Sequence, residues 1–329
     1  MRLTFLSALL LVMAAVPPHA PAVELTPFTV RNLAPPALVQ SIAAAEPARL
    51  IPPGRLAIRF SLGLANNASI NQDAGEQVTL DGETLVTTLG LRYGLTNRLQ
   101  VGLEVPWIHH GPGNFDGFIR DWHDFFGLPN GDRNHLPEDQ LDYSFAADNG
   151  GRLLLTEATD SLGDIRLLVA WQWLVDASRA ASLHAAVKLP SGNDEDLTGN
   201  QAWNTSLGIS AQQEFALARG EAAVWGGLAA TWLGNGEVLP GRAEDWAVNG
   251  WAGMGWSPLD WLAFKLQADS HSALYESNLG ELGDPALLLT MGGTLGFGER
   301  TTLDIGVGED LFVNASPDVT LHMSLVHRF

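Results

Sequence analysis

Residues 319–329, Val319-Thr320-Leu321-His322-Met323-Ser324-Leu325-Val326-His327-Arg328-Phe329, alternate apolar with polar side chains and stop on an aromatic ring. A β-strand turns successive side chains to opposite faces, so Val319, Leu321, Met323, Leu325 and Phe329 share one side. Thr320, His322, Ser324, Val326 and Arg328 share the other. A strand of about ten residues with one apolar face is long enough to cross a bilayer as one stave of a β-barrel.

The same two-residue period recurs upstream. Leu56, Ile58, Phe60, Leu62 and Leu64 oppose Ala57, Arg59, Ser61, Gly63 and Ala65. A partner carries Leu85, Thr87, Leu89, Leu91 and Tyr93 on one face. The five residues 94–98 make a tight turn into Leu99, Val101, Leu103, Val105 and Trp107. Further alternating segments begin near Ile165, Leu183, Trp203, Ala222, Trp246, Leu262, Leu287 and Leu303, which gives about twelve strands. Short connections follow the even strands and longer ones the odd strands. That parity predicts an up-and-down antiparallel barrel with periplasmic turns, external loops and both termini in the periplasm. Tryptophans support it, because indole rings collect at the two headgroup levels. Trp107, Trp203, Trp232 and Trp246 fall at the external strand ends, and Trp171, Trp173, Trp225, Trp256 and Trp261 at the periplasmic ends.

The start of the chain reads as an export signal. Arg2 precedes an apolar run over 3–16, and Ala20-Pro21-Ala22 supplies a small-residue cleavage site, so residues 1–22 are expected to be removed. Residues 23–54, rich in Ala and Pro, are expected either as a periplasmic tail or as a short plug reaching into the lumen. The barrel is placed at 55–329. With 46% hydrophobic residues but no long apolar run after the leader, interleaved strands reconcile apolar content with export. The chain has no cysteine, so no disulfide framework holds it. A formal charge of −19 argues against a nucleic-acid partner, whose phosphates require a basic surface.

Charged side chains of both signs fall on predicted lumen faces: Arg59, Arg92, Glu104, Asp164, Arg166, Lys188, Lys265, Asp269 and Asp304. They can line a polar path, or pair off and seal it. The long external loop at 108–161 exceeds any simple connection. Within it Asn114 can cap a short helix bearing Phe115, Phe118, Ile119, Trp122 and Phe126, with His123 beside them and Gly127 as its stop. Such a helix can constrict the mouth, lie on the lipid surface, or offer aromatic contacts to a ligand. His109, His110, His123 and His135 match no tight metal-ligand spacing. Asp194, Asp196, Thr198 and Gly199 imitate a calcium loop, but Thr205 stands where a bidentate Glu is needed. No metal, cofactor or catalytic residue is expected, and no G-x-S-x-G occurs.

Several runs resemble a known family. Asp81-Gly82-Glu83-Thr84, Leu91-Arg92-Tyr93-Gly94-Leu95-Thr96, Asn114-Phe115-Asp116 and Phe126-Gly127-Leu128-Pro129 are similar to the bacterial proteins grouped as domain of unknown function 3187. So is the run from Phe28 to Pro35. Leu162-Gly163-Asp164-Ile165 and the run Val187 to Gly192 also resemble outer-membrane transporters of aromatic and other hydrophobic compounds. The resemblance implies an outer-membrane barrel and brings no activity with it. The ending Leu325, His327 and Phe329 resembles the signal read by the barrel-assembly machinery, so that machinery and outer-membrane lipid are the expected partners. Three functions follow: a passive channel for a small, hydrophobic or other solute; a sealed structural or surface-interaction barrel with acidic loops; and a lipid-modifying enzyme.

Overall fold

In the computed structural model, residues 23–127, 131–311 and 315–329 are described; the leader read at 1–22 lies outside them. Twelve strands close an antiparallel barrel. They are β1 (Leu56–Asp73), β2 (Glu76–Gly94), β3 (Leu99–Gly111), β7 (Arg166–Val175), β8 (Arg179–Lys188), β9 (Asn204–Ala216), β10 (Glu221–Trp232), β11 (Trp246–Leu259), β12 (Leu262–His271), β13 (Ala286–Phe297), β14 (Thr301–Asp310) and β15 (Val319–Arg328). Each pairs with its neighbour, except that β3 passes to β7, and β15 returns to β1 with Leu325 opposite Phe60. Closure satisfies every strand edge, which a sheet in hydrocarbon requires. Among the described residues no helix is long and apolar enough to cross a membrane.

The outward face is an apolar belt. Phe60, Leu89, Leu207, Leu228, Met254, Phe264, Met291 and Leu325 are all exposed, and Phe60, Leu89 and Leu325 lie on the apolar face read from their strands. Trp107, Trp203, Trp232 and Trp246 are exposed at the long-loop end, and Trp171, Trp173 and Trp256 at the short-turn end. Trp225 departs from the expected girdle: it is buried, and its indole Nε1 donates to Gln267 Oε1 inside the barrel at 3.0 Å. It stands an odd number of residues from the outward Val224 and Leu228, so strand parity overrides its position near a strand end.

The first long loop is also different from expectation. β1 and β2 stay paired as far as Asp73 and Glu76, and meet in a two-residue turn. Ala74 and Gly75 there have φ of 47° and 80°, as a type I′ hairpin turn demands. Above the belt, β2 carries the hairpin β4 (Asp142–Ala147) and β5 (Arg152–Leu155), while β6 (Thr159–Leu162) extends β3 before β7 begins. The inward residues Val78, Leu80, Tyr143, Phe145, Leu153 and Leu155 form one buried cluster with Leu197, Leu239, Tyr275 and Leu279 from other long loops. This roof spans the long-loop end of the barrel.

Candidate functional site in the barrel lumen

The lumen is filled by the chain's own start. Residues 23–54 enter beside β13 and β15 at the short-turn end, rise along β12, and turn at the roof in a short helix, α1 (Pro35–Gln40). They then descend beside β11, β8 and β7 to meet β1. Ser41 ends α1 in the left-handed region, at φ 47°. Phe28, Val39 and Ala45 are fully buried, and Val39 and Ile42 enter the roof cluster.

Side chains of the wall hold this segment by its backbone. Gln267 accepts from Phe28 N and donates to Phe28 O, both at 2.9 Å, so one amide reproduces a strand's pairing. Gln212 donates to Leu25 O, Asn204 to Gln40 O, Asn249 to Ala43 O, and both Gln172 and Ser182 to Ala48 O. Lys265 Nζ donates to Thr26 O and stands 4.0 Å from the centre of the Phe28 ring. A buried peptide group left unpaired is costly, so each contact replaces a water rather than an apolar surface. Sequence reasoning missed these amides because it searched for charges. The available signal was Gln and Asn at inward strand positions.

All nine charged residues expected in the lumen face it, and most are paired. Glu104 is the hub: it accepts from Arg31 at 2.8 Å and Arg92 at 2.6 Å, and lies 3.5 Å from Arg166. Arg92 also reaches Glu46 at 3.1 Å. Arg31 belongs to the ascending leg and Glu46 to the descending one, so this cluster clamps both. Lys188 Nζ pairs with Asp164 at 2.6 Å and donates to Asn200, whose amide holds Gln40. Lys265 pairs with Asp304 at 2.9 Å, and Asp269 accepts from Gln267. Arg59 alone of the nine makes no hydrogen bond or ion pair among the described residues, and it borders a cavity of about 400 Å³ at the short-turn end.

The helix expected at the mouth is elsewhere. α2 (Asp116–Phe126) lies against the outward face of β1, β14 and β15, where Phe115, Phe118 and Ile119 border a cavity of about 240 Å³ with Leu64, Val307 and Leu321. Of the three positions its sequence allowed, it takes the lipid-side one. The reason is its tether: Glu83 accepts from the Asn114 and Phe115 amides, and Asn66 donates to Asp116. Glu83 and Asn66 are cross-strand partners of outward parity. The side chains of Trp122, His123 and Phe126 lie outside the described residues. His109 and His110 point to opposite faces, and His110 is buried between Thr84 and the Leu197 carbonyl.

The roof and turns are fixed by charge outside the membrane band. Arg242 pairs with Glu76 at the outer tip of β2 and stands 5.1 Å from the Phe145 ring centre. Burial pushes the Glu76 carboxyl up, but hydrogen bonds from Ser277, Arg242 and the Asn278 amide, with the Arg242 charge, outweigh it and leave it below its usual range. Burial pushes the Tyr275 phenol up, so it stays a neutral donor to the Pro36 carbonyl. In the turn after β7, the Ser178 amide and the Arg179 side chain hold Asp176 down at about 2.

The model of the family described as a protein of unknown function (DUF3187) matches residues 3–329, and the chain belongs to that family. A comparison with curated proteins finds no match. Among solved structures, the COG4313 outer membrane channel from Pseudomonas putida F1 is similar in fold: 16% identical, covering 87% of this chain and 100% of that one, with a TM-score of 0.57. The NanC porin aligns at 7% identity over 82% of this chain and 97% of its own, with a TM-score of 0.41. The Pseudomonas putida toluene transporter TodX aligns at 9% identity over 93% and 99%, with a TM-score of 0.36. The fold is that of an outer-membrane barrel.

Proposed function

We propose that this DUF3187 barrel is a passive outer-membrane channel for a small solute, closed in the conformation described by its own N-terminal segment. The observation that carries the reading is how that segment is held. Its backbone bonds to wall amides and ammonium groups, and these would bond equally to water in an emptied lumen. The wall left behind would be polar and charged, with Glu104, Arg92, Arg166, Lys188, Lys265 and Asp304 on it. Selection would be steric and electrostatic, without covalent chemistry. Both termini would face the periplasm, and residues 1–22 would be the cleaved export signal.

A sealed barrel is the second reading, favoured by the apolar roof and by the pairing of nearly every lumen charge. Planar-bilayer conductance separates the two. Leu33 Cδ1 lies 3.0 Å from where a Gly63 Cβ would stand, so Leu33→Cys with Gly63→Cys can staple the segment to β1 in a chain with no other thiol. We expect current from the native chain, silence from the oxidised pair, and current again on reduction. Silence from the native chain and from Glu104→Gln, each folded by heat-dependent gel mobility, would overturn the channel.

A further inference from the structure

We infer that the short-turn vestibule is a binding site for a small organic monocarboxylate with an apolar body, and that Arg59 is the residue that receives its carboxylate. The inference rests on the channel reading for its biological use, but the binding it describes requires no conduction.

The cavity of about 400 Å³ lies below the filled lumen, within the size range of small-molecule sites. Its polar border carries Arg49, Arg59, Arg92 and Arg328 against Glu24, Glu46 and Asp304. Among the described residues every one of these except Arg59 makes an ion pair. Arg49 holds Glu214, Arg92 holds Glu46 and Glu104, Arg328 holds Glu24, and Asp304 is taken by Lys265 and by the Thr294 hydroxyl. Arg59 faces inward from β1, where its strand partners are Gly90 and Val326. Gly90 leaves its stem a slot: a Cβ there would stand 3.4 Å from Arg59 Cβ.

One unmatched guanidinium in a chain of net charge −19 is the odd member of an otherwise neutralised set. A guanidinium presents a planar fork that fits a carboxylate with two parallel hydrogen bonds, and it keeps its charge at any physiological pH. The remaining border mixes Thr26, Gln100, Gln172, Thr294 and Thr302 with an apolar part formed by Pro27, Leu50, Ile51, Val175 and Val326. With the other border cations already paired, Arg59 would take one negative charge, and the apolar part of the wall would take the body of the ligand. A dianion would leave its second charge facing Asp304 and Glu46, and a neutral solute would leave Arg59 unmatched.

The test is calorimetric titration of the refolded, detergent-solubilised full chain with benzoate, benzyl alcohol and inorganic phosphate. Benzoate is expected to saturate, and benzyl alcohol and phosphate to bind at least tenfold more weakly. Arg59→Gln should weaken benzoate at least tenfold. Arg59→Lys should lie between, because it keeps the charge and loses the fork. Arg55→Gln, on the exposed rim, should bind as the native chain does. In the unmodified protein, benzoate should slow phenylglyoxal labelling of the Arg59 peptide, a readout that needs no variant to fold. Benzoate binding that ignores Arg59→Gln, equal binding of benzyl alcohol, tighter binding of phosphate, or unprotected Arg59 would each overturn the assignment. Parallel bilayer recordings keep the two readings apart. Arg59-dependent binding by a silent protein removes the channel and leaves the site, whereas a conducting protein without such binding does the reverse.

Discussion

At the residue scale, two side chains concentrate the contacts that hold the N-terminal segment. Gln267 satisfies both polar groups of Phe28, so Gln267→Leu strands a buried N–H and C=O at once. Each stranded group costs about 1–3 kcal/mol. We expect this variant to fold as a barrel yet release the segment's start, measured as faster proteolysis between residues 23 and 33. Glu104 is buried among three guanidinium groups, and a buried ion cluster that loses one member is destabilised by about 3–5 kcal/mol. Glu104→Gln should therefore raise open-channel probability and lower the temperature of the gel-mobility shift. Neither effect was legible as a role beforehand. Glu104 was recognisable as a lumen residue from strand parity, but its partner Arg31, and Glu46, which shares Arg92 with it, come from a segment that has no periodicity to place it.

At the scale of elements, α2 and the roof exchange the roles that sequence suggested. An amphipathic aromatic helix in the longest loop reads equally well over a mouth or against a wall, because its apolar face says only that something apolar covers it. Its tether through Glu83 and Asn66 decides, and both are ordinary polar strand residues in the sequence. Deleting residues 115–126 should leave single-channel conductance unchanged, while shortening the β4–β5 hairpin should increase it. The roof's latch is titratable. Glu76 has a lowered carboxyl pKa in the fold, so its contribution is present above its ordinary value, near 4.5, and is lost as pH falls through the lowered value. Acidification into that window should loosen the roof, seen as deuterium uptake across residues 142–155. Arg242→Ala should produce the same uptake at neutral pH.

For the whole molecule, the barrel and its contents differ in what maintains them. The wall is held by closed ladders of backbone hydrogen bonds and by an apolar belt matched to lipid, and these do not depend on the segment inside. The segment is held by exchangeable polar contacts, by ion pairs of Glu24, Arg31, Glu46 and Arg49 with the wall, and by burial of side chains such as Leu25, Phe28, Leu33 and Val39. Removal of residues 23–54 is accordingly expected to leave a heat-modifiable barrel with full strand content by circular dichroism. Loss of the barrel on that deletion would make the segment part of the fold's core instead.

The sequence by itself determined the number of barrel strands, though not β4, β5 and β6 of the long loop, and with it the alternation of faces, the long and short ends and the inward positions of the strand charges. A sheet's side-chain period is local, and each of these follows from it one strand at a time. The tertiary structure alone decided that residues 23–54 fill the lumen, that α2 lies outside, that Trp225 points inward to Gln267 and that Arg59 makes no ion pair among the described residues. Those outcomes depend on which groups closure brings together across the barrel, between residues as far apart as Phe28 and Gln267. No local period carries that information, because pairing across a lumen is set by the barrel's closure and not by the spacing of residues along any one strand.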